Sequence, residues 1–562
     1  MSSYVTSISL IIIGLSQLVY AEDYPFTPED IQAAATIIGL EFTATERDSM
    51  QEALNIQRQS YETLRTISLE NSIPPALQFN PIPVGFTARE AIRSQIDSTL
   101  SDATLPEVTR PANLADLAFY SIRELTYLIH QREISCVELT QLYLDRLRTY
   151  GDTLQCVITL TEERALAQAK KLDAELAAGK SRGILHGIPF GAKDLLAVKG
   201  YRTTWGAMPY KDQVIDQDAT VIQKLEAAGA VLVAKLTLGA LAWGDVWFGG
   251  KTKNPWDLAQ GSSGSSAGSA AATAAGLVPF ALGSETWGSI VSPSTRCGTT
   301  GLRPTYGRVS RTGAMALSWT MDKLGPICRS ADDCALVFAA IHGSDGIDQT
   351  VGDHPFSYPM NPANPIDLSA LKIGYLKQAF EDTSAEYAAQ QPFDQATLIT
   401  LKELGAELIP IELPDYPVEA ISFILSAEAA AAFDELTRMD QDDLLVRQIQ
   451  NAWPNVFRAS RLIPAVEYIN ANRLRYQIIQ AMARLFEKVD LYISPSFGSN
   501  NLLLTNLTGH PCVVLPNGFD PEGHPKSITL TGNLYDEATI LAVARVLQDA
   551  TSYHQQHPPR FR

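Results

Sequence analysis

Residues 261–276 read GSSGSSAGSAAATAAG, and residues 283–291 read GSETWGSIV. By composition alone, the first stretch is typical of a flexible Gly/Ser linker. Its context favours another interpretation, because it continues without a polar break into AAATAAGLVPFAL, a small-residue segment suited to a tightly packed buried helix. Small residues also let backbone amides approach a ligand closely, as anion nests and oxyanion holes require. The two stretches therefore predict a buried, ligand-facing site.

Helical patterns alternate with short β-rich runs on both sides of these stretches. The predicted helices cover residues 136–150, 161–178 and 219–228. The predicted strands cover residues 184–190, 230–235, 372–375, 491–494 and 512–515. Strands interleaved with helices are typical of an α/β fold, in which a buried mixed β-sheet is flanked by helices on both faces. We see no linker between separate domains within residues 111–562, and we predict one large domain there.

The beginning of the chain differs from the rest. An apolar run at residues 8–18 is too short to span a bilayer, and it ends in Val-Tyr-Ala before a predicted cleavage after Ala21. We interpret residues 1–21 as a signal peptide of a secreted or periplasmic protein, with an uncleaved anchor or a buried N-terminal helix as alternatives. Residues 22–110 predict a helical N-terminal extension and linker, with helix starts at Thr27 and Thr45 and four prolines within residues 71–88.

Charge and composition exclude several classes of function. The net charge is −18 over 562 residues, and no cluster of Lys and Arg offers a site for phosphates, so we expect no nucleic-acid partner and no binding to anionic membranes after signal cleavage. The six cysteines and eight histidines lack metal-ligand spacing, and we predict neither a metal site nor a cofactor. Cys328 and Cys334 are interpreted as buried free thiols, although export would allow a disulfide between them.

Three motifs together resemble one known family. GIPFGAKDL contains Lys193, SGSSAGSAAATAAG contains Ser265, and GSETWGSI contains Ser289. This combination is similar to the amidase signature family of serine hydrolases, which includes amidases and glutaminase subunits. The likeness is most specific over residues 135–304 and extends more weakly over about four-fifths of the chain. It implies a single large amidase-signature domain.

The resemblance also selects one serine among several. Aligning SAAATAAG at residues 269–276 with the family pattern places the bridging serine, which the family holds with a cis peptide bond, at Ser265. Ser262 and Ser263 lie too early in this register and are rejected. By this resemblance Ser289 is the nucleophile, Ser265 passes its proton on, and Lys193 is the base.

The chemistry requires a lysine that is neutral. An exposed lysine keeps a pKa near ~10.4 and cannot act as a base at neutral pH. Lys193 follows the apolar run GILHGIPFGA, which favours burial, whereas a lysine after a strand is otherwise usually a solvated surface charge. We expect Asp194 to orient the loop that carries this lysine and Ser266 to support the site from a second layer.

The oxyanion hole implied by the resemblance consists of backbone N–H groups at Thr286, Trp287, Gly288 and the nucleophile. Here the chain departs from the family pattern, with Trp287 in place of Gly and Val291 in place of Arg. A positive φ at Trp287 would cost about 1–2 kcal/mol. We favour the alternative, in which the N–H is retained and the indole narrows the acyl pocket. Without the Arg, a nearby carboxylate, Asp322 or Glu285, must find another partner.

These features predict an amidase that hydrolyses the C–N bond of a small-molecule amide through an acyl-enzyme, with a homodimer as a candidate assembly. A glutaminase-type subunit of an amidotransferase is an alternative, which the signal peptide and the acidic charge disfavour. A catalytically silent binding protein, with an oxyanion hole disrupted by Trp287, is another. His186 and His510 are interpreted as packed or hydrogen-bonding residues outside the mechanism.

Overall fold

The computed structural model describes residues 24–67, 69–86, 105–358, 365–385 and 387–562. The predicted signal peptide at residues 1–21 lies outside the described residues. The chain divides into two compact units, Met1–Glu70 and Asn71–Arg562.

The described part of the first unit contains two helices, α1 (Pro28–Ile37) and α2 (Ala44–Leu64). Each begins with a capping box, in which a threonine and an acidic residue satisfy each other's backbone N–H groups: Thr27 with Asp30, and Thr43 with Glu46. These helices confirm the predicted helical extension. The second helix begins at Ala44 rather than at the predicted Thr45, because Thr43 is the residue that caps it.

The second unit is built on an eleven-stranded mixed sheet. Its strands are β1 (Val157–Leu160), β2 (Pro189–Lys193), β3 (Val231–Leu236), β6 (Phe280–Glu285), β7 (Thr300–Arg303), β8 (Lys323–Cys328), β9 (Lys372–Leu376), β10 (Glu407–Ile411), β11 (Leu491–Pro495), β12 (Cys512–Phe519) and β13 (Pro525–Gly532). The order across the sheet is β1-β3-β2-β6-β8-β7-β12-β13-β11-β9-β10. A separate two-stranded ribbon pairs β4 (Val246–Trp247) with β5 (Gly250–Lys251).

Helices flank this sheet, as the sequence predicted. They are α3 (Ile122–His130), α4 (Cys136–Leu154), α5 (Glu162–Ala177), α6 (Thr220–Ala227), α7 (Ala267–Ala274), α8 (Val291–Cys297), α9 (Ala331–Ile341), α10 (Lys377–Phe380), α11 (Gln391–Glu403), α12 (Phe423–Ala432), α13 (Asp434–Arg438), α14 (Trp453–Ser460), α15 (Ala465–Phe486), α16 (Asn501–Thr508) and α17 (Glu537–Thr551). All eight residues of α7 are buried. The stretch that resembles a Gly/Ser linker therefore leads into a core helix, as predicted.

Strands β2 and β6 lie side by side as the third and fourth strands counted from β1, and every residue of both is buried. They run parallel, with Gly191 opposite Ala281 and Ala192 opposite Leu282. Their carboxyl ends therefore meet at one edge, the usual position of a ligand site in an α/β sheet. The predicted strand at 184–190 was placed too early: residues 184–187 form a turn, with Gly187 at φ +83°, and the strand begins at Pro189.

Within the described ranges, none of the helices has both the length and the apolar character needed to cross a bilayer.

Candidate active site

Lys193 is the last residue of β2, and its side chain is completely buried. Its Nζ donates hydrogen bonds to three hydroxyls, Ser265 Oγ at 2.8 Å, Ser266 Oγ at 3.0 Å and Ser284 Oγ at 2.8 Å. Burial lowers the pKa of this amine well below its usual range, against a smaller upward effect from the charges of Asp322 and Glu285. The site thus combines a lysine that loses its proton readily with hydroxyl groups in direct contact.

Ser265 and Ser266 come immediately before α7. The peptide bond between Gly264 and Ser265 is cis, at the position that the sequence register predicted. The Ser266 hydroxyl donates to Ser284 O and accepts from Ser284 N, both at 3.1 Å, so it ties the start of α7 to the end of β6. Both serines are thereby held against Lys193.

Ser284 is a contact that sequence reasoning missed. It lies next to last in β6, one strand away from Lys193, and it is almost completely buried. The signal that could have found it is the pairing of β2 with β6, which brings a hydroxyl at the end of one strand beside the lysine at the end of the other. Its neighbour Gly283 has no room for a side chain, because a Cβ there would lie 2.9 Å from Ser266 Oγ.

Ser289 lies in the turn between β6 and α8. Its carbonyl oxygen accepts a hydrogen bond from Ser266 N at 3.1 Å, which places the turn directly beside the serine pair. The turn needs a glycine at 288, where φ is +86°. The structure therefore brings Ser289 next to Ser265 and Ser266 through the backbone, while Lys193 contacts the other serines through its side chain.

Trp287 does not adopt a positive φ, and the strain considered from the sequence does not arise. Its indole is 45 % exposed and is not part of the lining of the cavity beside the site. The predicted narrowing of the pocket by this side chain is therefore not what the structure shows. The substitution leaves the backbone of the turn in place.

A buried ion pair fixes the same turn from behind. Glu285 accepts hydrogen bonds from the backbone N–H groups of Ile290 at 2.8 Å and Val291 at 3.0 Å. Arg303, at the end of β7, donates to Glu285 at 2.8 Å, and both side chains are completely buried. Asn506 in α16 adds a fourth hydrogen bond at 2.8 Å. Arg303 thus supplies the partner that the loss of an Arg at position 291 was expected to require.

These contacts outweigh the effect of burial on Glu285. Burial alone would raise the pKa of the carboxyl group, but the charge and hydrogen bonds of Arg303 and the backbone N–H of Val291 bring it down to about 2. Glu285 is therefore ionised throughout the neutral range. Its negative charge holds the amides that follow Ser289.

Asp322 holds the other side of the turn. Its carboxylate accepts from Thr286 Oγ1 at 2.6 Å and from the backbone N–H groups of Leu317 at 2.8 Å and Ser318 at 3.0 Å. Burial raises the pKa of Asp322 in spite of these hydrogen bonds. Thr286, predicted for the oxyanion hole, is thus anchored in the turn by the hydrogen bond of its side chain to Asp322.

Asp194 follows Lys193 directly and is held by a second buried lysine. It is completely buried and pairs with Lys235 Nζ at 2.6 Å, and its other oxygen accepts from Thr204 N at 2.8 Å. These contacts join the end of β2 to β3 and to the following loop. Asp194 therefore fixes the segment that follows Lys193 through Lys235 and Thr204.

A cavity of about 330 Å³ opens beside the site. Ser284 and Thr286 form the part of its lining that belongs to the β6 end and the turn. Its volume is at the lower end of the range of ~300–1,000 Å³ that is usual for small-molecule sites. The cavity is therefore large enough for part of a small substrate.

The two histidines and the two neighbouring cysteines named from the sequence are all buried. The ring of His186 contacts Leu172 O at 3.1 Å, and His510 Nδ1 contacts Thr508 Oγ1 at 2.8 Å, as expected of packed histidines. Cys328 and Cys334 are buried free thiols. Over the residues that the structure describes, no group of three or more His, Cys, Asp or Glu side chains could hold a metal ion.

The comparison with known families agrees with this geometry. The family model described as Amidase matches residues 138–504. The chain belongs to this family, the amidase signature enzymes. The match covers the elements that carry Lys193, the serine pair and the turn with Ser289.

Individual relatives extend the likeness beyond that range. The A subunit of glutamyl-tRNA(Gln) amidotransferase from Moorella thermoacetica is 34% identical over 486 residues, covering 79% of this chain and 99% of that protein. The corresponding protein of a Picosynechococcus species is 35% identical, covering 78% and 99%. Among solved structures, native peptide amidase from Stenotrophomonas maltophilia has a TM-score of 0.70 at 26% identity, covering 80% of this chain and 99% of that one.

Proposed function

We propose that this protein is an amidase that hydrolyses a small-molecule carboxylic amide to a carboxylate and ammonia or an amine. The observation that carries the proposal is the buried Lys193 amine, whose three hydrogen-bond partners are all serine hydroxyls. A lysine with a lowered pKa in contact with hydroxyls suits a general base. Membership of the Amidase family supports the same class of reaction.

In the proposed acylation, Ser289 Oγ attacks the amide carbonyl carbon and forms the C–O bond. The Ser289 proton moves to Ser265 as the Ser265 proton moves to Lys193 Nζ. The oxygen of the tetrahedral intermediate is stabilised by backbone N–H groups of the turn at residues 286–289. The C–N bond then breaks, and the proton returns through Ser265 to the nitrogen of the leaving ammonia or amine.

Deacylation uses the same groups in the same order. A water molecule attacks the acyl carbon, and its proton passes through Ser265 to Lys193. The bond from carbon to Ser289 Oγ breaks, and Ser289 takes the proton back. One water is consumed, and the carboxylic acid is released.

The test is the rate of hydrolysis over a panel of aliphatic, aryl and amino-acid amides, with Ser289→Ala and Ser263→Ala variants side by side. Ser263 is the rejected candidate, and its hydroxyl contacts Ser292 Oγ at 2.7 Å instead of Lys193. We expect Ser289→Ala to lose about 10³-fold or more of kcat, while Ser263→Ala keeps most of it. Full activity of Ser289→Ala would refute the proposal.

A second candidate is the glutaminase-type subunit of an amidotransferase. It is favoured by the identity of 34% to an amidotransferase subunit over nearly the whole length of that relative. Such a protein would hydrolyse glutamine and bind partner subunits. Hydrolysis confined to glutamine, together with association with other subunits on purification, would favour this candidate over an independent amidase.

Export is part of the main proposal. The apolar run at residues 8–18 and the Val-Tyr-Ala before the cleavage point support a secreted or periplasmic location. N-terminal sequencing of the mature protein should begin at Glu22.

A further inference from the structure

The cavity beside the site is closed on one side by a segment that precedes the residues matched by the family model. We call residues 71–83 the N-terminal strap. Asn71, Ser72, Pro74, Pro75, Leu77 and Gln78 of the strap line the cavity. The same lining includes Ser284 and Thr286, which belong to the proposed active site. The strap and the end of β6 therefore contribute to one cavity.

One end of the strap is fixed by the Asn71 side chain. Its Nδ2 donates to Ala316 O at 2.8 Å, and its Oδ1 accepts from Ala316 N at 2.7 Å. Nδ2 also lies 3.4 Å from Ala432 O in α12. The side-chain amide thus pairs with a backbone peptide unit in both directions, as a neighbouring strand would.

The other end is fixed by an aromatic contact. The Arg475 guanidinium carbon lies 3.5 Å from the centre of the Phe79 ring, and the Tyr306 ring packs edge-on against Phe79 at 5.0 Å. Between the two ends, Gln78 Nε2 donates to Gln349 Oε1 at 2.7 Å. Anchors at both ends make the strap a wall of the cavity.

Each charged side chain in the described lining already has partners. Arg311 bonds Asp348 at 3.1 Å, and its remaining nitrogens donate to Trp319 O at 2.7 Å and Thr350 Oγ1 at 2.9 Å. Asp322 accepts from Thr286 and from two backbone amides. A substrate carboxylate or ammonium would therefore lose its water without gaining a free partner of opposite charge, which disfavours its binding.

The rest of the lining is mostly apolar. Besides the prolines and leucine of the strap, it consists of Leu195, Ala242, Ala314, Met315, Leu317 and Leu324, among others. We infer that this cavity binds the uncharged, mainly apolar group attached to the scissile amide, and that the N-terminal strap sets the size of that group. The inference rests on the proposed amidase function, and it excludes glutamine as the preferred substrate.

The charge preference is tested with pairs of substrates of equal carbon count. Hexanamide is compared with the monoamide of adipic acid, where only the acyl group can fill the cavity. N-hexylacetamide is compared with 6-acetamidohexanoic acid, and in this pair the amine carries the group that can fill the cavity. We expect kcat/KM of the uncharged member to exceed that of the charged member by about tenfold or more in one of the two pairs. Equal rates, or preference for the charged member in both pairs, would overturn the inference.

The role of the strap is tested with two matched variants. Leu77 lines the cavity and Ile73 does not, although both are exposed apolar residues of the same segment. The measured quantity is kcat/KM for the preferred uncharged amide, hexanamide or N-hexylacetamide, divided by kcat/KM for acetamide. Leu77→Ala should reduce this ratio by about fivefold, since it removes apolar contact from the cavity wall. Ile73→Ala should leave this ratio unchanged. Equal ratios in the wild type, Leu77→Ala and Ile73→Ala would overturn the role of the strap.

The outcomes separate this inference from the proposed function. Hydrolysis of acetamide that depends on Ser289, without any effect of charge, length or Leu77, would refute the inference and leave the amidase function standing. Calorimetric titration of hexanamide and adipic monoamide into the Ser289→Ala variant measures the same charge preference without turnover. The same titration is made with N-hexylacetamide and 6-acetamidohexanoic acid, and equal affinities within both pairs would contradict the inference even if no amide were hydrolysed.

Discussion

At the scale of single residues, the proposed mechanism depends on the protonation of Lys193. Among the described residues, its hydrogen-bond partners are three hydroxyls and no carboxylate. Burial therefore outweighs the more distant charges of Asp322 and Glu285, and the pKa is lowered. The neutral amine needed for catalysis is favoured by the same packing that places it beside Ser265.

This gives a prediction for the pH dependence of hydrolysis. Because the base must be neutral, kcat/KM should be low below the lowered pKa of Lys193, rise as the pH increases through it, and then level off well before the usual range of lysine. Lys193→Ala should lower kcat by about 10²–10⁴-fold, and its kcat/KM should no longer rise with pH. Lys199→Ala, at an exposed lysine, should keep the wild-type kcat and pH profile. An unchanged pH profile in Lys193→Ala would contradict the assignment of the base.

Glu285 gives a prediction for stability in acid. Its folded-state pKa is depressed from 4.5 to about 2, so its contribution to the free energy of unfolding is present above about pH 4.5 and is lost as the pH falls towards 2. The shift corresponds to about 3 kcal/mol. Glu285→Gln should lower the thermal midpoint at pH 7, whereas near pH 2 its midpoint should approach that of the wild type. Glu487→Gln, at an exposed site, should leave the midpoint unchanged at both pH values. If Glu285→Gln lowered the thermal midpoint equally at pH 7 and near pH 2, packing rather than the charge of Glu285 would be responsible for its contribution to stability.

At the scale of elements, the turn between β6 and α8 is held from three sides. Glu285 binds the amides after Ser289, Asp322 binds the Thr286 hydroxyl, and Ser266 N binds the Ser289 carbonyl. A rigid turn keeps the backbone N–H groups aimed at one point, as stabilisation of an oxyanion requires. The turn can therefore tolerate an exposed Trp287.

Gly288 offers a test of that geometry with a control of equal backbone strain. Gly288 has φ +86° and Gly179, in an exposed turn after α5, has φ +76°. Alanine at either position should cost about 1 kcal/mol of stability. Only Gly288→Ala should also lower kcat, by about 10²-fold, because it displaces backbone N–H groups of the proposed oxyanion hole. Equal activities of the two variants would argue against this turn as the oxyanion hole.

The sequence could predict what depends on local signals. The capping threonines, the small residues of α7 and the lysine after an apolar run each act within a few positions, and the family register placed the cis bond at Ser265. The contact of Ser284 with Lys193 and the pairing of Arg303 with Glu285 depend on which strands are neighbours. The packing of the strap at residues 71–83, expected to be a linker, depends on contacts hundreds of residues away in the chain.

At the scale of the whole molecule, every residue of the proposed site lies in the unit Asn71–Arg562. This unit contains the complete sheet and the strap, so it has the core that an independently folding domain needs. A chain beginning at Asn71 should fold and keep kcat/KM within about threefold of the full-length protein. If this shortened chain kept the circular dichroism spectrum of a folded protein but lost hydrolysis, the first unit would be shown to contribute to catalysis.

In the proposed mechanism, Ser289 is a nucleophile that Lys193 activates through Ser265. Its most direct test is labelling with a fluorophosphonate followed by mass spectrometry of the peptide that contains residues 283–291. We expect one phosphonyl adduct on Ser289, absent in Ser289→Ala, strongly slowed in Lys193→Ala and unchanged in Ser263→Ala. An adduct on another serine, or equal labelling of Lys193→Ala and the wild type, would contradict the claim.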